Sequence, residues 1–247
     1  MRIWRGGGAL PSGKTEPAIE ALYGDYYSHR NPEKVYAVEF VVRTLLGTYP
    51  GLKLDRSSYP GARILDLGFG DGRNMPLLHD LGFEISGVEI SEEICRLTRS
   101  RMERLGVPAA LKTGDNSHIP FGDGVFDFLL ACHACYYVAP GETFADNLRE
   151  MARVLRVGGR FIFSLPKTDT YILKDAEPLN NGHYRITHDP YGVRNGGVFR
   201  AFASRQEILD ELGSRFEDFA LGLCENDFYG TYEKVWIGTC VKKGSGE

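Results

Sequence analysis

The chain reads as an α/β protein: a doubly wound, mostly parallel seven-stranded sheet with helices on both faces and an antiparallel strand near its C-terminal end. Two observations predict this. From residue 62 to residue 166, short apolar runs alternate with segments of helical periodicity, the pattern of parallel strands joined by crossover helices. Beyond residue 203 the rhythm changes, and one helical segment precedes two alternating ones, 215–224 and 234–243, which suit a terminal antiparallel hairpin. A third observation places the function. The stretch "ILDLGFGDGRN", residues 64–74, is a strand running into three glycines, and ligands of such sheets bind beyond the carboxyl ends of the strands.

Residues 1–16 are glycine-rich and aperiodic, and are expected to be a mobile tail ahead of a single domain, 17–247. Segments 17–28 and 32–46 carry apolar residues at helical spacing, the second begun by Asn31 and Pro32 as N-cap and N1. They are expected to form a helical lid over 17–47. A loop with two Pro-Gly steps, 48–62, follows. Strands are expected over 62–68, 84–90, 108–114, 125–132 and 158–166, with helices over 73–82, 91–105, 142–156 and 204–213. Ser91, with Glu92 and Glu93 behind it, starts the second of these helices. Segment 166–203 fits neither pattern; rich in proline, glycine, aromatic and histidine residues, it is expected to be an insertion covering the site.

With 43% hydrophobic and 25% charged residues, the 247-residue chain has the composition of an ordinary globular protein. Its net charge of −4 and pI near 5.9 argue against a large nucleic-acid footprint. The five cysteines form no disulfide framework, which points to a reducing compartment, the cytoplasm. No apolar run is long enough to span a membrane, and the first residues are too polar for a signal peptide. Cys132 and Cys135 flank His133 in "CHAC", but no second pair stands at metal spacing, so no metal is expected.

The glycine turn has three readings. A dinucleotide fingerprint needs a glycine three positions after Gly70, where Arg73 stands. A phosphate loop matches "GALPSGKT", residues 8–15, letter for letter, but lacks the preceding strand, and Pro17 falls in the following turn. The third reading is S-adenosylmethionine. Asp66 ends the strand and suits an ammonium; Gly68, Gly70 and Gly72 permit close backbone approach; Glu89 ends the next strand and suits a ribose diol, with Ile90 beside it for one adenine face.

At these residues the chain resembles the class I S-adenosylmethionine-dependent methyltransferases, over roughly 62–164. "ILDLGFGDG" looks like the family's first motif and "GVEIS" like its acidic second. "TGDNSHIPFGDGVFDFLLA" is similar to the stretch in which Asp115 approaches the adenine amino group and Asp127 opens the fourth strand. "LREMARVLRVGGRFIFSLP" resembles the closing helix and fifth strand, with Val157 where the family often has proline. The resemblance implies a Rossmann-like methyltransferase fold. It also implies S-adenosylmethionine as cofactor, S-adenosylhomocysteine as product, and a cofactor site of Asp66, Gly68, Gly70, Gly72, Asn74, Glu89, Ile90, Asp115, Asn116 and Cys132.

The acceptor is expected beyond the fourth and fifth strands, under the N-terminal helices with Tyr23, Tyr26, Tyr27 and His29, and under the 166–203 insertion. His133, directly after the fourth strand, is the first candidate base, followed by His183, His188 and Asp189. Tyr27, Tyr136, Tyr137, Tyr184 and His188 are candidate substrate contacts. The expected substrate is a small molecule carrying a hydroxyl or amine, with neither nucleic acid nor membrane as partner, and a homodimer is compatible with the sequence. An RNA or protein methyltransferase, or a binder of the cofactor without catalysis, is the alternative.

Overall fold

A computed structural model describes residues 19–29 and 34–244. The expected tail, the "GALPSGKT" stretch and the Asn31–Pro32 pair lie outside them. The described helices are α1 (Ile19–Ser28), α2 (Glu39–Leu46), α3 (Met75–Asp80), α4 (Glu92–Leu105), α5 (Phe144–Val154) and α6 (Arg205–Leu212). The main-sheet strands are β1 (Arg63–Leu67), β2 (Glu84–Glu89), β3 (Ala109–Thr113), β4 (Phe126–Ala131), β6 (Leu155–Pro166), β10 (Phe216–Phe228) and β11 (Thr231–Lys242). Their order is β10-β11-β6-β4-β1-β2-β3, and β11 alone runs antiparallel to its neighbours. The seven-stranded, doubly wound architecture is the one the sequence predicts.

The central strands are apolar on both faces because both are covered. Ile64, Phe128, Leu130 and Ile162 join one core with Phe40 of α2, Met75 and Leu78 of α3, and Ile94 and Met102 of α4. Their neighbours Leu65, Leu129, Phe161 and Phe163 point the other way, into a second core with Leu148 and Met151 of α5 and Ile208 of α6. This is the two-residue period of a pleated strand. Local signals set the helix ends. Thr143 and Asp146 form a capping box at the start of α5, and Gly106 ends α4 in the left-handed region at φ 69°.

Three elements differ from expectation. The helix expected over 32–46 is cut to α2, and Val38 is extended. The Val38 amide donates to Asn74 Oδ1 at 3.1 Å, so this segment is tied to the glycine turn and starts its helix one residue later. The terminal hairpin is longer than its alternating segments, because backbone pairing continues through the polar residues on both sides of a tight turn at Tyr229 and Gly230. The insertion is itself built around a sheet. β5 (Tyr137–Val138), β7 (Glu177–Pro178), β8 (His183–Arg185) and β9 (Val198–Arg200) pair antiparallel in the order β5-β9-β8-β7. Its strands are two or three residues long, too short to show a period.

Candidate active site

β1 delivers Asp66 to the base of the glycine turn. The side chain is fully buried, and neither carboxylate oxygen has a partner. Burial, with Glu89 and Asp71 nearby, pushes its pKa up to about 8. Gly68 (φ 67°) passes so close to β4's outgoing loop that an added Cβ would stand 2.5 Å from the Ala134 Cβ. Gly70 (φ 55°) lies beneath α1, where an added Cβ would collide with the Tyr27 hydroxyl. Gly72 packs on Thr98 and Met102 of α4 and serves helix packing. Asp71 grips Arg73 through both oxygens, at 2.9 and 2.7 Å.

The next strand ends supply the remaining acids. Glu89, at the end of β2, accepts the Ile90 amide at 2.7 Å, and burial raises its carboxyl to about 7 against the pull of that donor. After β3, Asp115 Oδ1 accepts from the Ser117 amide, the Ser117 hydroxyl and the His118 amide, each at 2.8 Å. Asn116 donates to the carbonyls of Ala134 at 2.9 Å and Tyr137 at 3.0 Å, binding this loop to the one after β4.

A cleft of about 760 Å³ runs from these acids beneath α1 to the small sheet. Of the expected residues, Tyr27, Gly68, Asn74, Glu89, Ile90, Asp115, Asn116, Cys132, His133, Tyr136 and Tyr137 line it. Asp66, Gly70 and Gly72 do not; they form the layer behind the lining. His183, Tyr184 and His188 are also absent from the walls. His183 turns Nδ1 to the Asn180 carbonyl at 3.1 Å, Tyr184 packs into the second core, and His188 is exposed. Asp189 is a loop organiser and no base: it accepts the amides of Tyr191, Val193 and Arg194 at 3.0–3.1 Å and the Arg194 guanidinium at 3.2 Å.

His133 occupies a left-handed position (φ 55°) fixed by its amide's bond to Ser164 Oγ at 2.9 Å. Its ring meets Phe40 edge-on, with centroids 5.7 Å apart. Burial, helped by Arg194 and Arg73, lowers its pKa to about 4, so the imidazole is neutral at physiological pH. Beside it, Tyr136 and Tyr137 stack at 5.0 Å, and the Tyr137 hydroxyl meets that of Tyr23 at 2.5 Å. Among the lining residues that sequence reasoning missed are Asn147 from α5, Tyr171 and Arg194 from the insertion, and Glu233 from β11. Only Arg194 left a trace, in the Asp-Pro-Tyr-Gly turn ahead of it.

The family model described as "Methyltransferase domain" matches residues 65–163. That span holds the glycine turn, Glu89, Asp115 and the loop after β4. Residues 65–163 carry a methyltransferase domain. It is 30% identical to an uncharacterised transposon protein of Streptomyces fradiae, over 75% of this chain and 54% of that one. It is 32% identical to sarcosine/dimethylglycine N-methyltransferase of Halorhodospira halochloris, over 46% and 40%. It thus spans about half, or less, of the length of these relatives. A SAM-dependent methyltransferase structure from Methanosarcina mazei superposes with a TM-score of 0.61, at 22% identity, over 80% of this chain and 99% of that one, and so shares the fold.

The family's cofactor is S-adenosylmethionine, and the residues present fit it. Asp66 is a buried carboxylate with no partner beneath the turn, suited to a cationic ligand above it. Glu89 and Asp115 line the cleft as carboxylate acceptors, the chemistry that a diol and an adenine amino group call for. Among the described residues, no helix is long and apolar enough to cross a membrane, and no cluster of three or more acid, histidine or cysteine side chains is placed to hold a metal.

Proposed function

We propose that this methyltransferase moves the methyl group of S-adenosylmethionine to a hydroxyl or amine of a small molecule in the cytoplasm, by in-line displacement. The observation that carries the reading is one continuous cleft with acids at its donor end and aromatic rings at its other end, closed above by α1 and at the side by the small sheet. Such a pocket suits an enclosed small molecule. Glu89, Asp115 and the turn above Asp66 would hold the cofactor, which supplies an electrophilic methyl and a neutral thioether leaving group. The chain's own work is alignment and exclusion of water. Tyr23 and Tyr137 close the roof through their shared hydrogen bond. His133, neutral and directed at the cleft, offers a hydrogen bond to the acceptor and holds a proton poorly.

Calorimetry tests the donor: S-adenosylmethionine binds and NAD does not. Glu89→Ala weakens that binding by about tenfold or more, as expected for losing a charge-assisted hydrogen-bond pair. Release of S-adenosylhomocysteine with a small-molecule panel tests the acceptor. Unchanged affinity in both Asp66→Ala and Glu89→Ala refutes the site, and turnover only with RNA or protein refutes the substrate class.

A further inference from the structure

The charges of the cleft are unbalanced, and the imbalance reaches its acceptor end. The lining holds two arginines, Arg73 and Arg194, and five acids, Glu20, Asp71, Glu89, Asp115 and Glu233. Each arginine is already occupied by a carboxylate of its own loop, Arg73 by Asp71 and Arg194 by Asp189. Neither is left as a bare cation for an anionic substrate. Glu233 is different. It enters the cleft from β11, half-buried, and its side chain makes no hydrogen bond or ion pair with any described residue. Its charge is felt by the Tyr136 and Tyr171 phenols and by the Cys132 thiol, which sets it beside the loop after β4.

Two neighbouring polar groups at this end offer acceptors too, while Arg194, held by Asp189, and the tyrosine hydroxyls are the donors there. Asn147 is fully buried, and its amide nitrogen is spent on the carbonyls of Cys135 and Tyr137 at 3.1 and 2.7 Å. Its Oδ1 faces no donor at all. His133 is neutral. A carboxylate, a partnerless amide oxygen and tyrosine π-faces together suit a group with several N–H donors and a positive charge. A hydroxyl would satisfy one of these acceptors, and an acid would be repelled by Glu233.

We propose that the acceptor substrate is a small primary or secondary amine, recognised as its ammonium by the Glu233 carboxylate. This rests on the methyltransferase reading of the same cleft and narrows it from hydroxyl or amine to amine. Burial raises the Glu233 carboxyl above its ordinary value, with Arg194 as the opposing influence. It is therefore better matched than His133 to take up the proton that the ammonium must shed before nitrogen is nucleophilic.

The test uses the full chain loaded with S-adenosylhomocysteine, at pH 8, where the simple amines are protonated and the acids ionised. Calorimetry compares two matched sets: phenethylamine, phenylethanol and phenylacetate; and butylamine, butanol and butyrate. In each set the amine is expected to bind about tenfold or more tighter than the alcohol, with no binding of the acid. Glu233→Gln abolishes that preference and leaves S-adenosylhomocysteine affinity unchanged. Glu225→Gln, on the exposed face of β10, changes neither. Equal binding of amine and alcohol overturns the proposal. So does tighter binding of the acid, an unaltered preference in Glu233→Gln, or no amine binding at millimolar concentration. Failure of S-adenosylhomocysteine to bind overturns the methyltransferase reading instead, so the two failures are separable.

Discussion

Replacing Asp66 with asparagine should stabilise the cofactor-free protein while weakening its hold on the cofactor. The wild-type carboxyl has a folded pKa of about 8 against its usual 3.8, and it is fully buried. From about pH 4 upward the unfolded chain loses this proton while the native state keeps it, so stability falls until both states are ionised near pH 8. The gap corresponds to a ceiling of about 6 kcal/mol at about 1.4 kcal/mol per pH unit, of which about 3 to 4 kcal/mol develops between pH 5 and pH 8. Asparagine matches the neutral acid in shape and has no proton to lose. Glu89, with a pKa near 7, adds a slope of its own, but that slope is common to both proteins. The difference between the two melting curves therefore isolates Asp66. At about 2–4 °C per kcal/mol, the margin by which Asp66→Asn melts above wild type should widen by about 10 °C between pH 5 and pH 8. At pH 8 and above, where Asp66 ionises, S-adenosylmethionine affinity should fall by about tenfold or more, since the carboxylate behind the glycine turn is gone. Parallel pH profiles for the two proteins, or a less stable variant at pH 8, would show that Asp66 is neither strained by burial nor kept for the ligand.

Other outcomes follow from the same geometry. Gly68→Ala puts a Cβ against Ala134 at positive φ and should cost about 2–4 kcal/mol, read from urea unfolding; a cost under about 0.5 kcal/mol counts against the close approach. Tyr23→Phe removes the 2.5 Å bond that ties α1 to Tyr137 and should speed amide exchange in α1 by about fivefold, for roughly 1 kcal/mol lost. Unchanged exchange would mean that other contacts close the roof. His133, with a pKa near 4, should show no titration between pH 5 and pH 8 by NMR, and a step near 6.5 abolished by His133→Gln would restore it as a base.

What was legible in the sequence was whatever depended on neighbours in the chain. Glu89 follows a strand with a clear apolar pattern and stands about twenty residues past the glycines, so its place could be read directly. Arg194 and Glu233 could not be read that way. One depends on a loop folded around Asp189, and the other on a strand that pairs with β6 across some seventy residues of chain. His183 and His188 misled for a related reason: a loop rich in histidine and aromatic residues looks like a site, and here His183 turns to the Asn180 carbonyl while His188 faces outward. Gly72 fits the expected turn, but its contacts show that it accommodates α4.

The two halves of the cleft come from very different lengths of chain. Everything from Asp66 to Asn116 that faces the methyl donor lies within about fifty consecutive residues. The opposite wall needs α1, the loop after β4, the small sheet and β11. β11 is the last described element to be synthesised, and it threads between β6 and β10 while its Trp236 and Lys234 reach to Phe202 and Thr170 of the insertion. During translation the residues of the donor half therefore emerge before the last residues of the other wall. A chain ending before Thr231 lacks Glu233 and Val235, two residues of that wall.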